Sequence, residues 1–454
     1  MSTSSSESRF SLSLSDLAEE ASTVLLARIM GAGLGFAVQV LFARWTSPEQ
    51  YGVYSYAMGW TALLSTFSGL GFQHAIVRFI PEYERARKWS HLRGVVRRSE
   101  QFILGMSLLL ALLGSAVVVG ASFVEGTFST YVVPLLLGFG LILPRALSTL
   151  QSRMCVARQQ MRIAYVLPNL SRPLFMIAGA AVLVLVLGRS LNATSAVLLA
   201  GLPTIPIWLI QRWAFHDQLP SAFEQTAARY DSTKWLRTAF PMFLIMGFSV
   251  LLSKTDLLMI GLLTSAEQVG LYKVASKTAL LTLFPLFAVK TVVAPRLAEA
   301  HSAGHPQQLQ QLASTAARWM FGGTLAVAVG LALLSELILG LFGPTFIEGT
   351  PVMLILIGGQ VANAGAGAVG PLLTMTGHQV ESAKIFGICA GLNILLNGLG
   401  IFFFGIEGAA LATAASTILW NVGLYRIVSG KLRVSPSIVD AFSRTGTNKN
   451  SPTP

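Results

Sequence analysis

Long apolar runs separated by short polar turns cover most of the chain. Twelve can be drawn. In the first half they fall near residues 24–45, 52–72, 101–121, 131–150, 166–188 and 194–213. In the second half they fall near 239–263, 270–292, 319–341, 351–375, 384–404 and 406–428. Each is close to the roughly 20 residues that an α-helix needs to cross a bilayer. The pattern predicts an all-α polytopic membrane protein with about 12 transmembrane helices. An even count in each half returns the chain to its starting side. Two six-helix lobes would then share one orientation, related by a parallel internal repeat, whereas an inverted repeat needs an odd count. The expected organisation is a disordered or amphipathic start over 1–22, an N-terminal lobe over 23–213 and a polar linker over 214–238. A C-terminal lobe over 239–428 and a cytoplasmic tail over 429–454, polar and frayed from 432 on, complete it.

One polar turn occurs twice. Thr46-Ser47-Pro48-Glu49-Gln50-Tyr51-Gly52-Val53-Tyr54 follows the first apolar run, and Thr264-Ser265-Ala266-Glu267-Gln268-Val269-Gly270-Leu271-Tyr272 follows the seventh, 218 residues further on. Six of the nine positions are identical. Each copy reads as a capped hairpin: Ser47 with Gln50 and Ser265 with Gln268 have capping-box spacing, and Pro48 suits the first helical position. Gly52 and Gly270 permit close helix contact, while Tyr51, Tyr54 and Tyr272 suit an interfacial aromatic belt.

Composition agrees with the pattern. A mean hydropathy of +0.64, with 53% hydrophobic and 11% charged residues, excludes an ordinary soluble domain. Glu7, Asp16, Glu19 and Glu20 mark a Ser-rich start without the positive segment of a secretory signal. The net charge of +12 is a matter of topology rather than of nucleic acid. Loops and ends on the starting side hold 24 of the 32 basic residues, seven of them in the cluster Arg78, Arg85, Arg87, Lys88, Arg93, Arg97 and Arg98. That asymmetry places both termini in the cytoplasm. The cluster is also compatible with a contact to anionic lipid. Cys155 and Cys389 are too far apart for a framework, and the six scattered histidines show no metal spacing.

The first copy of the turn, followed by Gly69-Leu70-Gly71-Phe72-Gln73-His74-Ala75-Ile76-Val77-Arg78, resembles the opening of bacterial polysaccharide-biosynthesis membrane proteins. These are oligosaccharide flippases of the multidrug/oligosaccharidyl-lipid/polysaccharide exporter superfamily. Asp256-Leu257-Leu258-Met259-Ile260-Gly261, then Gly270-Leu271-Tyr272 and Ala275, are similar to that family's seventh and eighth helices. The resemblance covers roughly 20–428. It implies a transporter of the cytoplasmic (inner) membrane, not an enzyme. Its cargo would be a polyprenyl-pyrophosphate-linked oligosaccharide, and its partners would be membrane lipids, a polysaccharide polymerase and glycosyltransferases, with no nucleic acid.

Charges inside the runs bear most on mechanism, because each costs about 2.5–3.5 kcal/mol at a helix centre. They are Arg28, Arg145, Arg172, Lys254, Lys273 and Lys277, with Asp256 and Glu407 as acidic partners. Arg28, Arg145 and Lys273 can also snorkel. Measured from the hairpin, Asp256 and Lys277 are expected to meet across the helix pair. Pro168-Asn169-Leu170-Ser171-Arg172-Pro173 predicts a broken polar helix, and Gln360, Asn363 and the run Gly365–Ala368 a second soft stretch. Cations outnumber acids, so a shared cavity would be positive and suited to the diphosphate that the resemblance implies. Ion pairs that merely fix helices are the competing reading. No cofactor is expected. Coupling to a proton or sodium gradient would rest on Asp256. The alternative function is a cation-coupled multidrug or small-molecule exporter of the same superfamily, which would favour an acidic cavity.

Overall fold

The computed structural model describes residues 14–124, 129–432 and 434–440, and every regular element among them is helical. Ten helical stretches are long and apolar enough to cross a membrane. One of them, Val380–Leu432, contains two crossings, because Gly405 (φ 59°, ψ −138°) breaks it. The Gly400 and Gly408 backbones then touch, so the chain reverses at Gly405. Pro48–Ser68, with 21 residues, is about 31 Å long and is also of membrane length. That makes twelve helices of membrane length among the described residues.

The chain forms two compact units: residues up to Ser47 with Trp60–Met246, and Pro48–Gly59 with everything from Gly247 onward. Unit one contains α1 (Leu14–Trp45), the second half of α2 (Pro48–Ser68), α3 (Phe72–Arg85) and α4 (Trp89–Val124). It continues with α5 (Ser129–Gly140), α6 (Ile142–Ala157), α7 (Leu167–Ala181), α8 (Ala193–Gly201), α9 (Thr204–Asp217), α10 (Ser221–Gln225) and the start of α11 (Ser232–Leu263). Unit two contains the first half of α2, the rest of α11, α12 (Ala266–Ala279), α13 (Phe284–Ser302) and α14 (Pro306–Leu333). It ends with α15 (Ser335–Gly340), α16 (Thr350–Gly365), α17 (Val369–Met375) and α18 (Gln379–Leu432).

In unit one, α3 is the amphipathic element. Phe72, Ile76, Phe79, Ile80 and Tyr83 recur at helical spacing and enter a core shared with Leu92 and Val96 of α4, Met154 of α6 and Trp235 of α11. Gly71 admits this helix: its φ is +79°, and a Cβ there would lie 2.1 Å from the Ala239 carbonyl oxygen. The Trp235 indole donates to the Tyr83 hydroxyl at 2.9 Å, which satisfies a polar handle inside an apolar core.

In unit two, the two copies of the repeated turn pack on each other. A Cβ on Gly52 would lie 1.7 Å from the Ala266 carbonyl oxygen, and one on Gly270 would lie 2.6 Å from that of Pro48. The backbones therefore touch at a point where only glycine fits. This contact turns the neighbouring tyrosines inward and corrects the aromatic-belt expectation. Tyr51, Tyr54 and Tyr272 are buried, Tyr51 against the edge of Phe346 at 5.9 Å. The capping expectation holds at the second copy, where the Ser265 hydroxyl accepts from Gln268 N.

The stretch expected to be frayed is packed down over Val434–Asp440. Gln310 of α14 exchanges two 2.8 Å hydrogen bonds with the Ser435 backbone. Tyr425 and Ser437 both donate to Asp440. The Pro436 carbonyl fills the space beside Gly367 that a side chain would need. Residues 1–13 and 441–454 lie outside the described residues.

Candidate functional site

The in-span polar residues fall into two groups, one in each unit. In unit one they line α7. Pro168 sits at its first turn and Pro173 inside it, yet the helix does not break. Wider π turns at Arg162–Val166 and Val182–Val186 flank it instead. Such turns recur at functional sites. Pro173 has no N–H to donate to the Asn169 carbonyl. Gly31 of α1 approaches that carbonyl closely, since a Cβ there would lie 2.8 Å from the oxygen. Tyr165, Asn169 and Arg172 recur at helical spacing along this side. The Arg28 guanidinium lies over the Tyr165 ring, 4.6 Å from its centre. Arg172 reaches the Thr204 hydroxyl of α9 at 3.4 Å. Arg28 is exposed on α1, whereas Arg145 and Arg172 are half-buried.

In unit two the group centres on Asp256 of α11. Tyr272 donates to Asp256 Oδ2 at 2.5 Å, Leu257 N donates to Oδ1 at 2.8 Å, and the Thr413 hydroxyl stands 3.5 Å from Oδ2. Lys254 and Lys273 are the cations in electrostatic range of this carboxylate. Lys273 in turn feels Lys254 and Lys277. The structure therefore sets Lys254 and Lys273 around one acid, with Lys277 in range of Lys273 but not of the carboxylate. The expected Asp256–Lys277 pair does not form among the described residues. The reason is register. The turn is only Thr264–Ser265, because Ser265 caps α12 from Ala266 on. Equal depth from that turn sets Asp256 beside Tyr272 and Lys273, and Lys277 lies a helical turn deeper, about 6 Å.

A second polar layer adjoins it. Asn393 Nδ2 donates to the Ser416 hydroxyl at 3.0 Å, and Asn397 Nδ2 donates to the Asn393 carbonyl at 2.9 Å. Both amides are buried, and neither Oδ1 has a hydrogen-bond partner among the described residues. Thr413 and Ser416 share a face of the second arm of α18, which connects this layer to Asp256. Further along that arm, Asn421 donates to Asn363, and Asn363 donates to Gln360. Asn393, Asn397, Thr413, Ser416 and Asn421 were not singled out from the sequence, and Tyr272 was assigned to the aromatic belt rather than to Asp256. The signal was there for two of them: Asn393 and Asn397 stand four apart within an apolar run, the spacing that puts two amides on one helix face.

Two compact units that together hold twelve membrane-length helices among the described residues, with polar groups placed within those spans in each unit, define a multi-pass membrane protein. Solved structures agree on the fold. The chain matches the lipid II flippase MurJ with a TM-score of 0.71 at 17% identity, covering 95% of this chain and 94% of that one. It matches a multidrug resistance MATE family transporter of the MOP superfamily with a TM-score of 0.70 at 13% identity, over 92% and 96%. The family model for polysaccharide biosynthesis proteins matches residues 17–301, more than half of the sequence, and the chain belongs to that family. A MatE model also matches residues 241–399. In Haloferax volcanii, the probable low-salt glycan biosynthesis flippase Agl15 is 25% identical over 431 residues, spanning 92% of this chain and 86% of that protein.

Proposed function

We propose that the chain is a flippase that carries a polyprenyl-pyrophosphate-linked oligosaccharide across the cytoplasmic membrane by alternating access, for surface polysaccharide synthesis. The observation that carries this reading is a run of three lysines beside a single acid: Lys254 and Lys273 in range of Asp256, and Lys277 one turn further along α12 in range of Lys273. Asp256 is itself engaged by Tyr272 and Thr413. Net positive charge in a low-dielectric span attracts a diphosphate and repels organic cations. Arg28, Arg145 and Arg172 add positive charge in unit one. The amides of Asn169, Gln360 and Asn363 supply hydrogen-bonding groups for sugar hydroxyls. The family of the chain, and the glycan flippase among its relatives, point the same way. Both termini are assigned to the cytoplasm from the distribution of Lys and Arg. A polymerase and glycosyltransferases that make and consume the cargo are its expected partners.

Coupling to a proton or sodium gradient is assigned to Asp256, whose neighbouring layer offers the buried oxygens of Asn393 and Asn397. The test is transfer of a labelled lipid-linked oligosaccharide by reconstituted protein. Transfer should fall at least tenfold in Lys254→Gln/Lys277→Gln, with folding intact. A drug exporter, the reading that the MatE match favours, would instead transport organic cations and tolerate that double change.

A further inference from the structure

The basic cluster of α3 and α4 is not used by the transport reading, and the structure divides it into two sets. One set is structural. Arg93 donates to the carbonyls of Glu224 and Thr226, Arg98 donates to the Ser232 hydroxyl, and Arg229 N donates to the Ser90 carbonyl. Gly94 admits the same strand of chain, since a Cβ there would lie 1.9 Å from the Arg229 carbonyl oxygen. These ties lay residues 224–232 along the first turns of α4. They bring together two stretches more than 130 residues apart in sequence.

The second set is Lys88, which meets residues of the 229–234 stretch as a result. A polar recess of about 210 Å³ opens between the two stretches, with Lys88, His91, Asp231 and Lys234 in its wall. The charged groups in range of the His91 ring are Arg229, Lys88 and Lys234 on one side and Asp231 on the other. Glu82, which also borders the recess, is held by Arg78 at 3.8 Å and by Lys234 at 3.5 Å. Among the lining groups Lys88 and Lys234 balance Glu82 and Asp231, and Arg229, in range of the His91 ring, leaves one cation in excess. At about 30 Å³ per water, the recess has the volume of roughly seven waters, enough for a phosphate group and part of its alcohol.

We propose that this recess binds a phosphate ester of a hydroxyl-rich alcohol, such as a sugar phosphate. Lys88, Arg229 and Lys234 supply the phosphate-binding charge. The Asp231 carboxylate repels a bare anion but accepts hydrogen bonds from sugar hydroxyls, so the ester is preferred to inorganic phosphate. A phospholipid headgroup carries the same chemistry, and distance decides against it. The exposed apolar side chains of α4 run from Leu104 to Phe123, about 28 Å of helix, which matches the hydrocarbon thickness. Lys88 precedes Leu104 by 16 residues, or about 24 Å. The headgroup layer takes up about 5–7 Å of that, and the rest exceeds a Debye length of about 8 Å. The ligand is therefore soluble. The site uses none of the in-span charges, so it stands independently of the flippase reading.

The test is titration of the full chain in phosphatidylcholine nanodiscs with glucose 1-phosphate and with inorganic phosphate, followed by calorimetry. Saturable glucose 1-phosphate binding is expected, weakened at least tenfold in Lys88→Gln/Arg229→Gln and retained in Lys88→Arg. Arg97→Gln, an exposed cation outside the recess, should leave it unchanged. Asp231→Asn should erase the preference over inorganic phosphate. Unaltered melting temperatures exclude loss of fold, and the Lys88→Arg arm distinguishes charge from packing. Three results would overturn the proposal: no saturable binding; an equal loss in Arg97→Gln, which means diffuse charge only; or a variant-sensitive response confined to nanodiscs doped with phosphatidylglycerol.

Discussion

Replacing Gly52 by alanine tests the contact between the two copies of the repeated turn. The new Cβ would sit 1.7 Å from the Ala266 carbonyl oxygen and 2.6 Å from its carbon, against an ordinary contact distance of at least 3.4 Å. Both obstacles are backbone, so no rotamer change relieves them. The first half of α2 must move away from α12 by more than an ångström, loosening the packing of Tyr51 on Phe346. Overpacking of this kind costs about 1–3 kcal/mol, and occasionally more. Gly270→Ala meets the Pro48 carbonyl oxygen at 2.6 Å, a smaller overlap, and should cost less. Gly33 of α1 has nothing within 4 Å of its Cβ position, and alanine there should be neutral or stabilising by about 0.5–1 kcal/mol. Unfolding of the three purified variants in detergent, followed by tryptophan fluorescence, should rank them Gly52→Ala, Gly270→Ala, Gly33→Ala from least to most stable. A Gly52→Ala protein as stable as the parent, or the reverse order, would refute the described contact.

Trp235→Phe keeps the ring but removes the donor to Tyr83; a loss of about 1–3 kcal/mol is expected in the same unfolding assay, with no comparable loss for the exposed Trp319→Phe. Gln310→Ala removes both hydrogen bonds that hold Ser435, so backbone amides over 434–440 should exchange hydrogen faster while α14 itself stays protected. Asn397→Leu deletes a buried oxygen beside the Asp256 layer; if that layer seats a coupling ion, transport should lose its dependence on sodium or pH before it loses its maximal rate, and an unchanged ion dependence would exclude Asn397 from the seat.

The helices were legible in the sequence because lipid imposes one rule, an apolar run of a given length, on every crossing. Even the reversal at Gly405 falls where the two last runs were separated. Partners were harder to read. The Asp256–Lys277 expectation took Thr264–Val269 as the turn, whereas Ser265 already caps α12 within it, and four residues of error moved the partner by a helical turn. Tyr51 and Tyr272 have the composition of an interfacial belt, but two glycines bring backbones together beside them and bury both. Asn393, Ser416 and Asn421 escaped notice because uncharged amides and hydroxyls barely disturb hydropathy. Their roles depend on pairs far apart in sequence.

The sharing of α2 between the two units has a consequence for biosynthesis. Residues 48–59 emerge early in translation, yet their packing partner begins at Ala266, some two hundred residues later. At about 5–20 residues per second, that is a wait of roughly 10–40 s. During it, the glycine-marked face of α2 must sit in the bilayer against lipid or a passing helper. Unit two is therefore not a product of the C-terminal half alone. A split gene would have to deliver both pieces to the same membrane before either could finish folding.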